Sequence, residues 1–427
     1  MSFPTSPFLI AVGKCGLFTP AQIQSISSSR ERPESLAIRL VASNELTQFQ
    51  ADKLLVGLWQ GLTLGPYRVL APIGRGGMGI VYLAAKGATN SSPRVALKIL
   101  PPRIAREEPR RLERFRREIR IGSAIPPHNH IARTYEGGDV SGVHYLAMEF
   151  VPGVTLRKRV QESGPLTPNE AARICVGLAD GLVHLHAINV IHRDFKPANA
   201  MLAPGGRAKI LDFGFAIVLG ETLPTDPRVV GGQGYVIGTM DYIAPEQIQD
   251  ATTVTPASDL YSLGCTLFYS LTGTPPYPGG DAQQKLRWHQ TSEPPDVRSI
   301  SPSVPEELAR LVSRLLRKDP ERRPASARDV REQLCEISGP DVLTIDPVGI
   351  DTAVELLTHQ KVATEELLEP IILDDGDETE PERQMKEARY ATRNSTAPLF
   401  WYFIAGLVFL IAVFLFTLLF LLATRHS

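Results

Sequence analysis

Asp194 and Asp212 are two carboxylates whose surroundings read as chemistry. The first lies in His192-Arg193-Asp194-Phe195-Lys196-Pro197-Ala198-Asn199, and the second opens Asp212-Phe213-Gly214 eighteen residues later. A phosphoryl group in transfer spreads charge over its oxygens, so a site for it must position the group and neutralise that charge with metal ions. Magnesium prefers hard oxygen ligands, and a carboxylate with a side-chain amide supplies them while leaving room for water and phosphate. Asp212 and Asn199 fit those two ligand positions. Asp194 then faces a substrate hydroxyl, orients it and accepts its proton, with Lys196 beside the moving phosphate. Either motif alone would read equally well as a turn between strands; the ordered pair carries the reading.

Such residues need strands and a helix to hold them. An apolar alternating run from Tyr67 predicts a strand, followed by Gly74-Arg75-Gly76-Gly77-Met78-Gly79-Ile80-Val81, and Val81 to Ala85 predicts the next strand. Strand, glycine turn, strand describes a flap over phosphates, because glycine backbone approaches a ligand with no side chain between. A dinucleotide fingerprint has similar glycines but opens a helix with an acidic partner downstream, and that pattern does not follow here. Val95-Ala96-Leu97-Lys98 predicts a short strand whose lysine lies 24 residues after Gly74. That lysine requires a carboxylate, and Glu107 to Ile125 predicts an arginine-rich helix carrying Glu113 and Glu118. The plain alternative pairs Glu118 with Arg114 or Arg111 on a solvated face.

Over roughly residues 67–337 these motifs together resemble the eukaryotic-type (Hanks-type) serine/threonine protein kinases, of the bacterial membrane-anchored kind, with Lys196 pointing to the serine/threonine branch. The resemblance implies an α+β, bilobal protein kinase fold with a β-rich N-lobe and a mostly helical C-lobe. It implies ATP and Mg2+ as cofactors and protein serine or threonine as acceptor. Asp194, Lys196, Lys98 and Glu118 are then catalytic, and Asn199 and Asp212 hold the metal. The nucleotide site comprises Ile73, Gly74, Gly76, Gly79, Val81, Ala96, Lys98, Glu149 and Val151, with Met148 as gatekeeper before the hinge. Gly238 to Glu246 resembles the close of the activation segment, where Thr239 contacts Asp194 and Lys196. Glu246 is expected to pair with Arg323, and Asp259 to brace the catalytic loop from beneath. Arg193 implies a loop phosphate as partner, with Thr222 and Thr225 as acceptors modified in trans by a second copy. Two positions depart from the pattern. Phe195 replaces a commoner leucine, which implies a packing adjustment. Gly122, one turn past Glu118, replaces a larger apolar residue, which implies a weaker hold on that helix when the enzyme is unstimulated.

With 427 residues, 43% hydrophobic content and a net charge of −1, the chain can bury two or three compact units and has no general attraction for nucleic acid. The arginines between Arg103 and Arg120 read as a solvated or docking face. Cys15, Cys175, Cys265 and Cys335 are scattered without a CxxC, so neither a disulfide framework nor zinc is expected. His128-Asn129-His130 reads as a structural turn. Leu399 to Ala423 is an uncharged run of 25 residues, which as a helix spans about 37 Å against a hydrocarbon core of roughly 30 Å, and predicts a single transmembrane helix. Lys386, Arg389 and Arg393 precede it and Arg425 alone follows, which predicts a cytoplasmic kinase domain on a C-terminal anchor, with residues 424–427 too short for an external sensor. Residues 338–398 read as an acidic juxtamembrane linker, with nine acidic and no basic residues from Val362 to Glu382; a tail folding back onto the arginine-rich helix is the sharper alternative. Residues 1–66 read as a helical extension without a signal peptide, with helices beginning near Thr19-Pro20 and across Thr47 to Trp59. A nucleotide-binding pseudokinase and a membrane scaffold are the competing functions; complete Lys98, Asp194, Asn199 and Asp212 positions oppose the first.

Overall fold

A computed structural model describes residues 6–338, apart from 77–78, 224–225, 227–228 and 230–239, together with 357–359. The expected transmembrane segment 399–423 lies outside the described residues, as does all of the expected linker from 339 onward except 357–359. Among the described residues no helix is long and apolar enough to cross a membrane.

Four helices open the chain: α1 (Pro7–Lys14), α2 (Pro20–Ser27), α3 (Pro33–Ala42) and α4 (Gln48–Leu55). Thr19 and Thr47 start α2 and α4 with capping boxes, each hydroxyl accepting from the backbone of a glutamine three residues on. The sequence predicted α2 and a longer version of α4. That helix stops at Leu55 because Gly57 turns the chain with φ 76°.

A six-stranded sheet follows, in the order β1-β2-β3-β4-β6-β5, formed by β1 (Thr63–Leu64), β2 (Tyr67–Gly76), β3 (Gly79–Lys86), β4 (Arg94–Leu100), β5 (Thr134–Val140) and β6 (Val143–Glu149), antiparallel throughout. Strand periodicity divides its side chains between two faces. Val69, Tyr82, Ala84, Leu97 and Ile99 form one core with Phe8, Leu36, Leu40, Phe49 and Leu54 of the N-terminal helices. Thr47 Oγ1 donates to Leu70 O at 2.6 Å and Gln50 Nε2 to Val69 O at 2.8 Å, which fastens α4 to β2 by its backbone.

Between β4 and β5 the expected helix Glu107 to Ile125 forms over 109–124, and a short helix not expected from the sequence precedes it. α5 (Pro102–Glu107) ends at Glu108, where φ −128° and ψ 73° break the helix, and α6 (Pro109–Ala124) restarts on a proline suited to a first turn. At Gly122 no space is left for the larger side chain. A Cβ there would stand 2.5 Å from Thr134 Oγ1 of β5, and a Cβ on Gly137 of β5 would stand 2.6 Å from Ile119 of α6. The two glycines let helix and strand approach until Thr134 and Ile119 fill the space a larger residue would occupy.

The remaining helices are α7 (Leu156–Ser163), α8 (Pro168–Ala187), α9 (Pro245–Gln249), α10 (Pro256–Thr272), α11 (Ala282–Thr291), α12 (Val297–Ile300), α13 (Glu306–Leu315) and α14 (Ala327–Ser338), and all but α9 and α11 supply a second core. From Ser258 to Leu271 every residue of α10 is buried, and Gly273 ends it with φ 78°. The short strand β7 (Val154–Thr155) leads into α7, and β8 (Val190–Ile191), β9 (Ala200–Leu202), β10 (Ala208–Ile210) and β11 (Ile217–Val218) shape the loops between α8 and α9.

Two outcomes test this packing. Gly122→Leu overpacks the α6–β5 contact and should cost about 1–3 kcal/mol, seen as a fall in Tm of several degrees; Gly13→Ala, where a Cβ meets nothing within 4 Å, should not lower it. Lys53 of α4 is 1% exposed, with its ammonium 5.5 Å over the Phe49 ring, and burial pushes it down to about 8. Its folded value lies below the unfolded one, so the penalty is fully present below pH 8 and fades as pH rises toward the unfolded value. Lys53→Met should therefore stabilise the protein by on the order of 1–3 kcal/mol at pH 7, with the gain shrinking between pH 8 and 10 in denaturant titrations.

Candidate active site

Lys98 sits in mid-sheet, opposite Val81 of β3 and Leu146 of β6. Its Nζ lies 2.7 and 2.8 Å from the two carboxylate oxygens of Glu118 on α6, and 3.6 Å from Asp212 Oδ1. The surface alternative for Glu118 fails: Arg111 pairs with Glu108 at 2.8 Å, and Arg114 Nε donates to Val229 O at 3.0 Å. Burial works to lower Lys98, but the carboxylates of Asp212 and Glu118 outweigh it and hold the ammonium above its ordinary range. Burial likewise pushes Asp212 up, and Lys98 with the Gly214 amide brings its carboxyl below the usual range, so it stands ionised.

The catalytic loop hangs from one buried side chain. Asp259 of α10 accepts from the backbone amides of His192 and Arg193, both at 2.9 Å, and lies 2.9 Å from His186 Nε2. Burial pushes Asp259 up, but the His186 and His192 contacts keep its carboxyl below the usual range. With the loop fixed, Asp194 Oδ2 lies 2.6 Å from Lys196 Nζ, and Asn199 Nδ2 donates to Asp194 O at 2.9 Å and Oδ2 at 3.2 Å. The amide nitrogen of Asn199 is thus committed to Asp194, which leaves its oxygen as the end suited to a cation. Asp212 reaches the site through φ 63°, stabilised by its Oδ1 accepting from Gly214 N at 3.0 Å. Phe195 is buried among the C-lobe core residues, edge-on to His192 with ring centroids 5.8 Å apart.

Among the residues expected at a nucleotide, Gly74 faces Val81 and Ala96 faces Met148 across the ladder. Gly79 is required at its position: φ is 144°, and a Cβ would fall 2.1 Å from Ile99 O. Gly76 ends β2, and the flap tip, 77–78, lies outside the described residues. Ile73 packs against Leu70, Leu83 and Ala85, and Val151 is buried. Glu149 turns its side chain to Lys209 Nζ at 2.8 Å and Arg133 N at 3.1 Å, and its own amide donates to Arg133 O at 2.7 Å. A nucleotide contact there would use the Glu149 backbone carbonyl.

Glu246 receives Arg323 at 2.7 and 2.8 Å through two nitrogens, the expected pair. Arg193, at φ 65° and buried, donates from Nε to Phe215 O at 2.7 Å and from Nη1 to Ala251 O at 2.5 Å. Burial and the neighbouring Arg117 push its guanidinium down to about 9. Thr222 is exposed; Thr225 and Thr239 lie outside the described residues. In the histidine turn His130 Nδ1 lies 2.8 Å from Ala208 O and His128 stacks on His184; among the described residues no group of three or more His, Cys, Asp and Glu could hold a metal.

The arginine face of α6 is not simply solvated. Glu221 meets Arg117 and, at 2.8 Å, Arg120, while Arg110 meets Asp226 at 2.6 Å. Sequence reasoning missed Glu221. The available signal was the recurrence of arginine at 110, 114, 117 and 120, one stripe of a helix, with acids at 221 and 226 in the segment after Asp212.

The sequence model of the protein kinase domain matches residues 67–335. The chain is 34% identical over 270 residues to the serine/threonine-protein kinase PrkC of Bacillus subtilis, covering 63% of this chain and 40% of that protein. It is 35% identical over 282 residues to the serine/threonine-protein kinase PknH of Mycobacterium tuberculosis, covering 66% and 43%, and 35% identical to PknB of Mycolicibacterium smegmatis, covering 64% and 44%. The chain thus spans less than half the length of these relatives.

Proposed function

The chain belongs to the protein kinase family, among the bacterial Hanks-type serine/threonine kinases, and from that premise we propose that it transfers the γ-phosphate of ATP, bound with Mg2+, to serine or threonine of protein substrates. The observation that carries the reading is the Lys98–Glu118 pair standing beside an ionised Asp212. A scaffold that only bound nucleotide would have no need to keep Lys98, Asp194, Asn199 and Asp212 together. In this reading Lys98 holds the α- and β-phosphates, and Glu118 keeps the lysine extended. Asp212 and the Asn199 oxygen hold the metal, which when bound neutralises phosphate charge. Asp194 orients the acceptor hydroxyl and takes its proton, and Lys196, already on Asp194 Oδ2, steadies the incoming phosphate. Main-chain groups of Glu149 and Val151 receive the adenine under Ile73, Val81 and Ala96, and the glycines of the flap close over the phosphates.

The proposal extends to the rest of the chain. Residues 399–423 form the single C-terminal transmembrane helix, residues 338–398 the acidic linker, and the kinase domain faces the cytoplasm. Anchoring confines copies to two dimensions and raises their effective concentration, so one copy phosphorylates Thr222 or Thr225 of another.

Two experiments follow. Asp212→Asn and Lys98→Met should each lower kcat for Mg-ATP-dependent phosphorylation of a serine/threonine substrate by about 100-fold or more, measured as radiolabel transfer; nucleotide binding without transfer by the wild type would leave the pseudokinase reading instead. A chain ending at Asn394 should be soluble while the full chain sediments with membranes, and sedimentation of the shortened chain would place the anchor elsewhere.

A further inference from the structure

We infer that Glu221 is a positioning residue for the phosphate-binding lysine: an unmodified carboxylate in the segment after Asp212 that holds α6 inward through Arg117 and Arg120, and so keeps Glu118 on Lys98. The inference rests on the kinase reading of the site and names what organises it.

Glu221 is built into place from both sides. One carboxylate oxygen accepts from Val218 N at 3.0 Å and from Arg117, and the other lies 2.8 Å from Arg120. Val218 belongs to β11, which pairs with β8 immediately before the catalytic loop, Ile217 opposite Ile191 and Val218 opposite Val190. The carboxylate therefore ties a helix of the N-lobe to a strand pair of the C-lobe. Arg117 precedes Glu118 on α6 and is only 7% exposed, with its Nε on Ala216 O at 3.2 Å. Neighbouring contacts run along the same stripe, with the Arg114 guanidinium 5.6 Å from the centre of the Phe215 ring.

Charge makes the contact decisive. Arg117 is pushed down to about 10 by burial and by Arg120, and Arg193 lies close enough to be lowered in turn. A buried guanidinium among other guanidiniums is unfavourable without an anion. Glu113 is one carboxylate near Arg117, and Glu221 is the one that bonds its guanidinium directly. With the carboxylate gone, α6 relieves the repulsion by moving outward, and Glu118 travels with it. Thr222, the next residue, is exposed, and a phosphate there would add negative charge to an arrangement that already holds.

The test compares the full chain with its isosteric Glu221→Gln variant, each treated with phosphatase to remove loop phosphate. Two quantities are read: kcat and KM for ATP, and amide hydrogen exchange in residues 109–124 with residues 168–187 as internal reference. Glu221→Gln should lower kcat/KM by about 10- to 100-fold, with a raised KM for ATP, and should speed exchange in 109–124 while leaving 168–187 unchanged. Failure of the wild type to transfer any phosphate would remove the kinase reading, whereas the exchange measurement still decides the role of Glu221. The inference is overturned by unchanged exchange in 109–124, by equal acceleration in both segments, which marks a general loss of stability, or by phosphatase-treated wild type exchanging as fast as the variant, which assigns the hold to a phosphate.

Discussion

Taking the Lys98 ammonium out of water is the constraint from which the rest of this architecture follows. A buried ion pair loses hydration on both partners, and that loss is offset only when geometry is close to ideal. Two oxygens of Glu118 at 2.7 and 2.8 Å, with Asp212 at 3.6 Å, meet the condition, but lysine and glutamate come from different elements that must be held independently. β4 is fixed by ladders on both sides. α6 has no ladder, and its position depends on side chains: Phe115 packs with Leu100 and Leu146, Gly122 admits Thr134, Gly137 admits Ile119, and the arginine stripe takes the segment after Asp212. Each contact governs the angle at which Glu118 arrives.

A second buried carboxylate does for the C-lobe what Glu118 does for the N-lobe. Asp259 receives two consecutive backbone amides, and one of them belongs to Arg193, whose φ of 65° is unfavourable for a residue with a side chain. Asp212 carries the same kind of strain at 63°. Each such conformation costs on the order of 1–3 kcal/mol, and both are overdetermined here by hydrogen bonds: Arg193 by Asp259, Phe215 O and Ala251 O, and Asp212 by Gly214. The strain lies in the residue before Asp194 and in Asp212 itself, so preorganisation is built into the backbone as well as the side chains.

How much of this was legible from sequence depends on the range of the interaction. His192 to Asn199, Asp212 and Lys98 could be read because each motif holds its chemistry within a few residues, and Glu118 because a strand lysine needs a partner. Asp259 and the Glu246–Arg323 pair were reached through resemblance, since nothing in their spacing says what they bind. Glu221 was missed: the arginine stripe that gives it meaning is on a helix about a hundred residues away, and an acid in a loop reads as solvated. Gly122 was read as a lost side chain because sequence does not show that a facing strand presents Thr134. Helices α1 and α3, of 8 and 10 residues, are too short for periodicity to stand out, although each begins with a proline at its first position.

The N-terminal helices change meaning for the same reason. Taken alone they are an appendage with an unassigned partner, yet their apolar faces and the back of the sheet form one core. Arg68 shows how closely the two are joined: it is 8% exposed, Nη1 donates to Leu17 O and Ala88 O, each at 2.8 Å, and Nε to Asn90 at 3.1 Å. Asn90 in turn donates to Glu45 O at 3.1 Å and Gln50 at 3.2 Å. A buried guanidinium that donates to Leu17 O in the chain before the sheet loses that partner if the chain leaves, and Asn90 loses Glu45 O and Gln50 with it. β2 is therefore anchored at its start by the helices and delivers Ile73, Gly74 and Gly76 at its end. Residues 6–66 act on the glycine turn through the strand that leads into it, which makes them part of the N-lobe's structure whatever else they bind.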